Sequence, residues 1–191
     1  MPPIPKFQRE TIIEVTYQLI KEEGLERVNA RRIAKELGCS VQPIFHNFST
    51  MEDLIHEVNT KIYAKYKEYI MRGQNSEKPY KQIGLSYIQF AADYPEFFKI
   101  LFMKETMLDA ENFMMADVLG DHIIKEGQKL TGLSYEEQKK FHIKVWVFTH
   151  GIACLVATKT IRFSKEEIDK LLGGTVLEML EGYKKSREEE K

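Results

Sequence analysis

Cysteine is scarce in this chain, and the signals that direct a protein into or across a membrane are missing. Only two cysteines occur among 191 residues, Cys39 and Cys154. Two thiols so far apart favour buried cysteines in a reducing compartment over a disulfide. The opening MPPIPKFQRE lacks the apolar core of a signal peptide. The apolar stretch 145–158 has 14 residues between two charged ones, too few to cross a bilayer. We therefore expect a cytoplasmic protein that makes no contact with the membrane.

Sequence motifs for catalysis and for cofactor binding are also missing. The chain contains no His-Glu-x-x-His, no glycine-rich phosphate loop and no Gly-x-Ser-x-Gly. The pair Asp121-His122 has no catalytic context around it. We expect neither catalytic residues nor a cofactor, and a small helical enzyme is only a distant alternative.

The patterns that are present are helical. Apolar residues make up 43% of the chain, enough for a core, and they recur at helical rather than strand spacing throughout. No internal repeat is evident. The sequence predicts an all-α protein of about nine helices.

Residues 29–48, NARRIAKELGCSVQPIFHNF, form the stretch around which we interpret the rest. Asn29 is a plausible N-cap for a helix over residues 30–37, and Gly38 can take the left-handed conformation that ends it. Ser40 is a second N-cap candidate, before a short helix over residues 41–47. A helix, a tight turn with glycine and a second helix form the helix-turn-helix pattern, in which the second helix enters the major groove of DNA.

Charge is concentrated in the same stretch. The whole chain has a net charge of -1, yet residues 27–47 hold four cations, Arg27, Arg31, Arg32 and Lys35, against one anion, Glu36. A near-neutral protein with one basic surface suits site-specific DNA binding, because local cations meet phosphates without indiscriminate attraction elsewhere.

Residues 11–58 resemble the DNA-binding domain of the TetR/AcrR family of transcriptional regulators. The resemblance lies in KEEGLERV, RRIAKELG, the run from Val41 to His46, and NFSTMEDL, in that order, over about a quarter of the chain. The family usually has Tyr at Phe45 and Lys at Met51, and both usual residues donate to phosphates. These two departures predict weaker anchoring to the DNA backbone.

Candidate DNA-binding residues follow from this pattern. Gln42 suits hydrogen bonding to adenine, and Val41 and Pro43 can contact a thymine methyl group. For either arginine of the first motif helix, the alternative interpretation is a solvent-exposed position on the helix without a DNA contact. The full set is Arg31, Arg32, Ser40, Val41, Gln42, Pro43, Phe45 and His46, with Ser40 and His46 assigned to phosphates.

We place the helix-turn-helix domain at residues 1–50 and a helical effector-binding and dimerisation domain at residues 51–191. Residues 51–72 form a connecting helix that either Ser49 or Thr50 caps, and Ser49 with Glu52 has capping-box spacing. The polar run 72–79 follows it. Ser164 with Glu167 has the same spacing before the last helix.

The second domain is similar to effector domains of one TetR subgroup, through YPEFFKILF and the Trp-x-x-x-His-Gly signature of Trp146, His150 and Gly151. This resemblance implies a helical ligand pocket and a homodimer built from the last two helices. Independently, the helix over residues 135–160 is apolar on nearly every side from Val145 to Ala157, so a two-fold helix bundle would cover it.

Candidate pocket residues are aromatic, sulfur-containing or polar: Phe102, Met103, Met114, Trp146, Thr149 and His150. For each of them, the alternative to a ligand contact is ordinary packing in the core of the domain. For His150, with Trp146 and Cys154 on the same helix face, we weigh a structural role, a polar ligand contact and, least favoured, a metal site, and we expect no metal. Gly173-Gly174 in the last helix marks either a dimer crossing or a break between two helices.

The sequence therefore favours a DNA-binding transcriptional regulator, a repressor released by a small, largely apolar effector. Its expected partners are double-stranded DNA with a near-palindromic operator, a second copy of the chain and the effector. A regulator controlled by a protein partner, or by no ligand, is the alternative.

Overall fold

The structure is a computed structural model that describes residues 7–74, 76–105 and 119–189. Within these residues the regular elements are nine α-helices and a 3-10 helix, Leu25–Arg27, with no strand, which confirms the all-α prediction. The helices are α1 (Arg9–Glu23), α2 (Ala30–Leu37), α3 (Gln42–Asn47), α4 (Met51–Arg72), α5 (Pro79–Asp93), α6 (Pro95–Phe102), α7 (Gly120–Thr131), α8 (Tyr135–Ala157) and α9 (Lys165–Glu189).

Local chemistry sets several helix ends as the sequence predicts. The side chain of Asn29 accepts from the backbone N–H of Arg32 at the start of α2. Gly38 ends α2 with φ of 66°, in the left-handed region. The first turn of α6 contains Pro95, and the Ser164 hydroxyl accepts from the Glu167 N–H at the start of α9.

One predicted cap is wrong, and at the start of α4 the structure decides between the two candidates, Ser49 and Thr50. Ser40 does not cap α3, because Val41 already has helical backbone angles and its carbonyl accepts from the Ile44 and Phe45 N–H groups. Ser49 does not cap α4. That helix begins at Met51, so Thr50 is the residue in the capping position. The Thr50 hydroxyl accepts from the Asp53 N–H at 3.1 Å, and the Asp53 carboxylate accepts from the Thr50 N–H at 3.0 Å.

The last helix is continuous. It runs from Lys165 to Glu189 without interruption, so the interpretation of Gly173-Gly174 as a helix break is wrong. A side chain at Gly173 would approach Lys81 of α5 in the same chain, at 3.3 Å from its Nζ, whereas a side chain at Gly174 would meet nothing within 4 Å. The other interpretation of Gly173-Gly174, a dimer crossing, stays a prediction.

The chain divides into two compact units. The first comprises Met1–Tyr66 and Tyr94–Lys104, and the second comprises Lys67–Asp93 and Glu105–Lys191. The first unit extends past the boundary that we placed after residue 50 and includes α6, because Phe97 packs on Tyr17 of α1 with ring centroids 4.6 Å apart. The functional boundary at residue 50 stays a prediction.

The core of the first unit is built from the inner faces of α1 to α4 and α6. Its fully buried side chains include Ile12, Ile20, Ile33, Ile44, Leu54, Ile62, Phe97 and Phe98. Because Ile44 and Phe48 are both buried, α3 is fixed with its opposite face outward.

In the second unit α5 lies at the centre and packs against α7, α8 and α9. Its core includes Phe90, Ile124, Phe141, Ile152 and Leu172. The single chain does not cover α8 on every side, since Val147 is 57% exposed. Among the residues described, no helix combines the length and apolarity needed to span a membrane.

Candidate nucleic-acid interface

The turn between α2 and α3 is closed by backbone hydrogen bonds. The Gly38 N–H donates to the Lys35 carbonyl and the Cys39 N–H donates to the Ala34 carbonyl. These bonds satisfy carbonyls that a helix end otherwise leaves open. Ile33 on α2 and Ile44 on α3 are both fully buried, so the two helices share one core.

The outward face of α3 combines apolar and polar side chains. Val41 is 36% and Phe45 is 48% exposed, large fractions for such side chains. Gln42 and His46 are also exposed, one position further along the helix. Residues four apart lie on the same side of a helix. Val41 and Phe45 therefore form an apolar pair on the outward face, beside the polar pair of Gln42 and His46. Ser40 is exposed ahead of them, and Pro43 is half-buried.

A hydrogen bond along α3 fixes what His46 can offer. Its Nδ1 lies 3.2 Å from the Gln42 carbonyl oxygen. A carbonyl only accepts, so Nδ1 carries the proton, and Nε2 of the neutral ring is left as an acceptor. Phosphates also only accept. The predicted phosphate contact by His46 therefore requires the imidazolium form, whereas the neutral ring can accept from the amino group of adenine or cytosine.

The two arginines of α2 differ in their surroundings. Arg32 donates to both carboxylate oxygens of Glu23 and to Glu36. This guanidinium lowers the pKa of the Glu23 carboxyl group. Arg31 is exposed. Because Arg32 is engaged by two carboxylates and Arg31 is exposed, we expect Arg31 to be the one of the two that meets a phosphate.

Arg9 is a residue whose role the sequence did not indicate. Its guanidinium donates to the Asn47 carbonyl and to Glu57 at 2.9 Å, and it lies 4.1 Å from the Phe48 ring centroid. The Asn47 side chain in turn donates to the Pro43 carbonyl at 2.8 Å. Arg9 therefore links α1 to the end of α3 and to α4, which is a positioning role. No sequence signal joins residues 38 positions apart.

The predicted pocket residues fall in different parts of the chain. In the first unit, Phe102 packs against Tyr66 with ring centroids 5.0 Å apart, and Met103 is 44% exposed. Met114 lies outside the described residues. In the second unit, Thr149 is buried and its hydroxyl donates to the Val145 carbonyl.

Trp146, His150 and Cys154 share one face of α8, as their spacing predicts. Trp146 stacks on His150 with ring centroids 4.9 Å apart. The two His150 nitrogens lie 2.9 Å from the Tyr87 hydroxyl and 3.3 Å from the Cys154 sulfur. Burial lowers the pKa of His150 and raises the pKa of the Cys154 thiol. These contacts support a structural role for His150.

Both cysteines are free and only partly buried, one in each unit. Their burial is less complete than the sequence predicts. In the part of the chain that the structure describes, no three His, Cys, Asp or Glu side chains gather as metal ligands.

A buried polar pair joins α5 to α8. The Tyr80 hydroxyl lies 2.7 Å from Nδ1 of His142, and burial lowers the pKa of His142 to about 4. Beside this pair, Gln138 is fully buried and accepts from the Thr131 hydroxyl at 2.6 Å. His142 is therefore neutral in the folded protein near neutral pH.

Two cavities are lined by described residues of the second unit. One of about 590 Å³ is lined by side chains of α4, α5 and α9, among them Arg72, Gln82, Ser86, Gln89, Lys165 and Ile168. The other, of about 380 Å³, lies among α5, α7, α8 and α9 and includes Thr149. Among the predicted pocket residues, Thr149 lines the smaller of these two cavities.

Comparisons with known proteins agree with the geometry of the first unit. Residues 12–58 match the family described as bacterial regulatory proteins, tetR family. An HTH-type transcriptional regulator of Staphylococcus aureus strain MRSA252 is 31% identical over 93 residues, which are 47% of this chain and 50% of that protein. A regulator of strain USA300 is 32% identical over 92 residues, 46% of this chain and 50% of that protein. The chain thus spans about half the length of the curated relatives it matches.

Among solved structures, the crystal structure of Mycobacterium smegmatis AmtR aligns with a TM-score of 0.49 and 15% identity. The alignment covers 94% of this chain and 89% of that chain.

Proposed function

Because residues 12–58 match the tetR family of bacterial regulatory proteins, we propose that this chain is a sequence-specific DNA-binding transcriptional regulator of that family. The observation that carries the proposal is the outward face of α3. This helix is held from behind by the buried side chains of Ile44 and Phe48, and it directs Gln42 and Phe45 away from the core. A short helix that is fixed on one side and chemically varied on the other suits the major groove.

The proposed division of roles follows from side-chain chemistry. Gln42 pairs with the N6 and N7 atoms of an adenine, and Val41 and Phe45 contact thymine methyl groups. Arg31 and Ser40 bind phosphates and hold the helix in register without reading sequence. Pro43 and His46 lie beside the base-reading side chains.

We propose that the working form is a homodimer through α8 and α9. Val147 on α8 and Leu177 on α9 are 57% and 56% exposed in the single chain. Glycine inside a helix costs about 1 kcal/mol relative to alanine, and among the described residues a side chain added at Gly151 or Gly174 would meet nothing within 4 Å. Close approach of a second chain explains both the apolar exposure and the glycines.

The proposed mechanism is repression that an effector relieves. Two α3 helices must be one DNA turn apart, about 34–36 Å, to engage both half-sites of a near-palindromic operator. An effector bound in the second unit lowers DNA affinity to the extent that it prefers a dimer with another spacing.

Fluorescence anisotropy on DNA from either side of the gene, against scrambled DNA, tests the proposal. We expect saturable, sequence-selective binding that survives moderate salt. Gln42→Ala should weaken binding to the preferred DNA by about 1–3 kcal/mol, because one base contact is lost. Gln18→Ala on α1 is the matched control and should bind like the wild type. Equal, strongly salt-sensitive binding to both DNAs would mean that the protein contacts only the phosphates. That result would contradict sequence-specific binding.

Sedimentation velocity tests the dimer separately. Val147→Glu should shift the protein towards monomer, because it places a charge in an apolar interface. The control is Met71→Glu, since Met71 on α4 is 42% exposed but lies outside the last two helices and does not line the cavity beside them. Dissociation caused equally by both substitutions, or by neither, would contradict the proposed interface.

A further inference from the structure

The smaller cavity of the second unit has an apolar wall. Val145, Leu172 and Val176 line it, together with the backbones of Gly84 and Gly173. At Gly84 an added side chain would come within 3.1 Å of the Leu172 side chain, so the two helices approach closely there.

Polar groups at this wall are already satisfied. The Thr149 hydroxyl donates to the Val145 carbonyl, and its methyl carbon is the part that approaches Gly84, at 3.9 Å from an added side chain. The Tyr80 hydroxyl is paired with His142. The interior of the cavity therefore offers an aliphatic chain an apolar surface without leaving hydrogen-bonding groups unmatched.

Cations gather around the same cavity. Lys78 and Lys81 come from the start of α5, and Lys170 comes from α9, against one carboxylate in the lining, Asp169. Lys81 pairs with Asp169 at 2.7 Å, and Lys170 pairs with Glu166 outside the lining at 2.8 Å. The lining alone has three cations against one anion.

The start of α5 adds to this positive field. Its first turn contains no acidic residue that would offset the partial positive charge at a helix N-terminus. Lys78 is exposed there. The lysines have flexible stems, and two of the three are each paired with a single carboxylate, so they can turn towards an anionic group at the edge of the cavity.

The larger cavity differs in its chemistry. Gln82, Ser86 and Gln89 lie in its lining, and charges of both signs come from Arg72, Lys165, Glu166 and Asp169. A mixed lining of this kind selects neither an aliphatic chain nor one sign of charge. The combination of an apolar wall and a cationic edge belongs to the smaller cavity.

From this combination we infer that the cavity among α5, α8 and α9 binds an anionic amphiphile: an aliphatic chain along the apolar wall, with its carboxylate held by Lys78 and Lys81. The volume of about 380 Å³ lies within the size range of small-molecule sites. Such a ligand contacts α9, the helix to which we assign the dimer interface. Its action as the effector rests on the proposed function, whereas its binding does not.

Isothermal titration calorimetry with three probes of equal chain length tests the inference: decanoate, decan-1-ol and decylamine. We expect decanoate to bind with one site per chain and the neutral and cationic probes to bind at least about tenfold more weakly, the size of one charge-assisted contact. Equal binding of decanoate and decan-1-ol would overturn the role of the lysines, and no binding of any probe would overturn the site.

Lysine variants locate the carboxylate. Lys81→Gln should weaken decanoate binding by about tenfold and leave decan-1-ol unchanged. Lys78→Gln, at an exposed position that tolerates substitution, gives the same test if Lys81→Gln fails to fold. Lys125→Gln is the matched control, because Lys125 also pairs with an aspartate, Asp121, but does not line the cavity. A loss as large in the control would refute the assignment.

The effector role has its own measurement. Decanoate should lower the affinity of the wild type for its preferred DNA and leave that of Lys81→Gln less changed at the same concentration. Decanoate binding without any change in DNA affinity would remove the effector role while keeping the site. DNA binding by the ligand-free protein, measured first, distinguishes this outcome from failure of the proposed DNA-binding function.

Discussion

Arg31 and Arg32 are adjacent in α2 but have different partners. Arg32 is engaged by Glu23 and Glu36, whereas Arg31 is exposed. We predict that Arg31→Ala lowers DNA affinity and reduces the salt slope by about one, because one phosphate contact is lost. Arg32→Ala should leave that slope unchanged and lower the melting temperature. Anisotropy at several salt concentrations and thermal unfolding by circular dichroism measure the two effects, and a reduced slope in Arg32→Ala would contradict the assignment.

At the start of α4, a shift of one residue in the helix start decides whether Ser49 or Thr50 caps the helix. Thr50 and Asp53 exchange hydrogen bonds, whereas Ser49 lies outside the helix start. We predict that Thr50→Ala destabilises the protein by about 1 kcal/mol, the usual cost of losing an N-cap side chain. Ser49→Ala, the control, should change stability by less than about 0.5 kcal/mol. Urea unfolding compares the two, and a larger loss for Ser49→Ala would contradict this cap.

The response to acid involves the folded state of the whole molecule. The pKa of His142 is about 4 in the folded protein against an ordinary value of 6.5. As pH falls from 6.5 to about 4, the unfolded chain binds a proton that the folded chain does not. The free energy of unfolding therefore falls by up to about 1.4 kcal/mol per pH unit. The lowered pKa of His150 acts in the same direction. Carboxyl groups such as Glu14, whose pKa is lowered from 4.5, lose their contribution only at lower pH.

Urea unfolding between about pH 7 and about pH 5 measures this dependence. His142→Gln should flatten it, because glutamine can still meet the Tyr80 hydroxyl but does not titrate. An unchanged pH dependence in this variant would show that other groups cause the loss.

The sequence predicts well where structure depends on neighbouring residues. Asn29 caps the start of α2 and Gly38 ends it in the left-handed region, and both ends are found as expected. It predicts less where two similar choices compete. Ser49 and Thr50 are each followed three residues later by an acid, and only the start of α4 decides between them.

Long-range partners are the part of the candidate site that the sequence could not supply. Arg32 meets Glu23 across the 3-10 helix, and Arg9 meets Asn47 and Glu57. These contacts depend on how α1 packs against the other helices of the first unit. The side chains on the outer face of α3, by contrast, follow from periodicity once Ile44 and Phe48 are taken as buried.

The single free cysteine in each unit makes the chain suitable for pulsed electron paramagnetic resonance without engineering. Nitroxide labels on Cys39, in the turn before α3, and on Cys154, on α8, would report the distance between the two units in solution. The raised pKa of Cys154 slows its reaction with a thiol-specific label, so labelling there needs longer exposure. In a dimer, the Cys39–Cys39 distance would follow the separation of the two α3 helices directly, with and without decanoate.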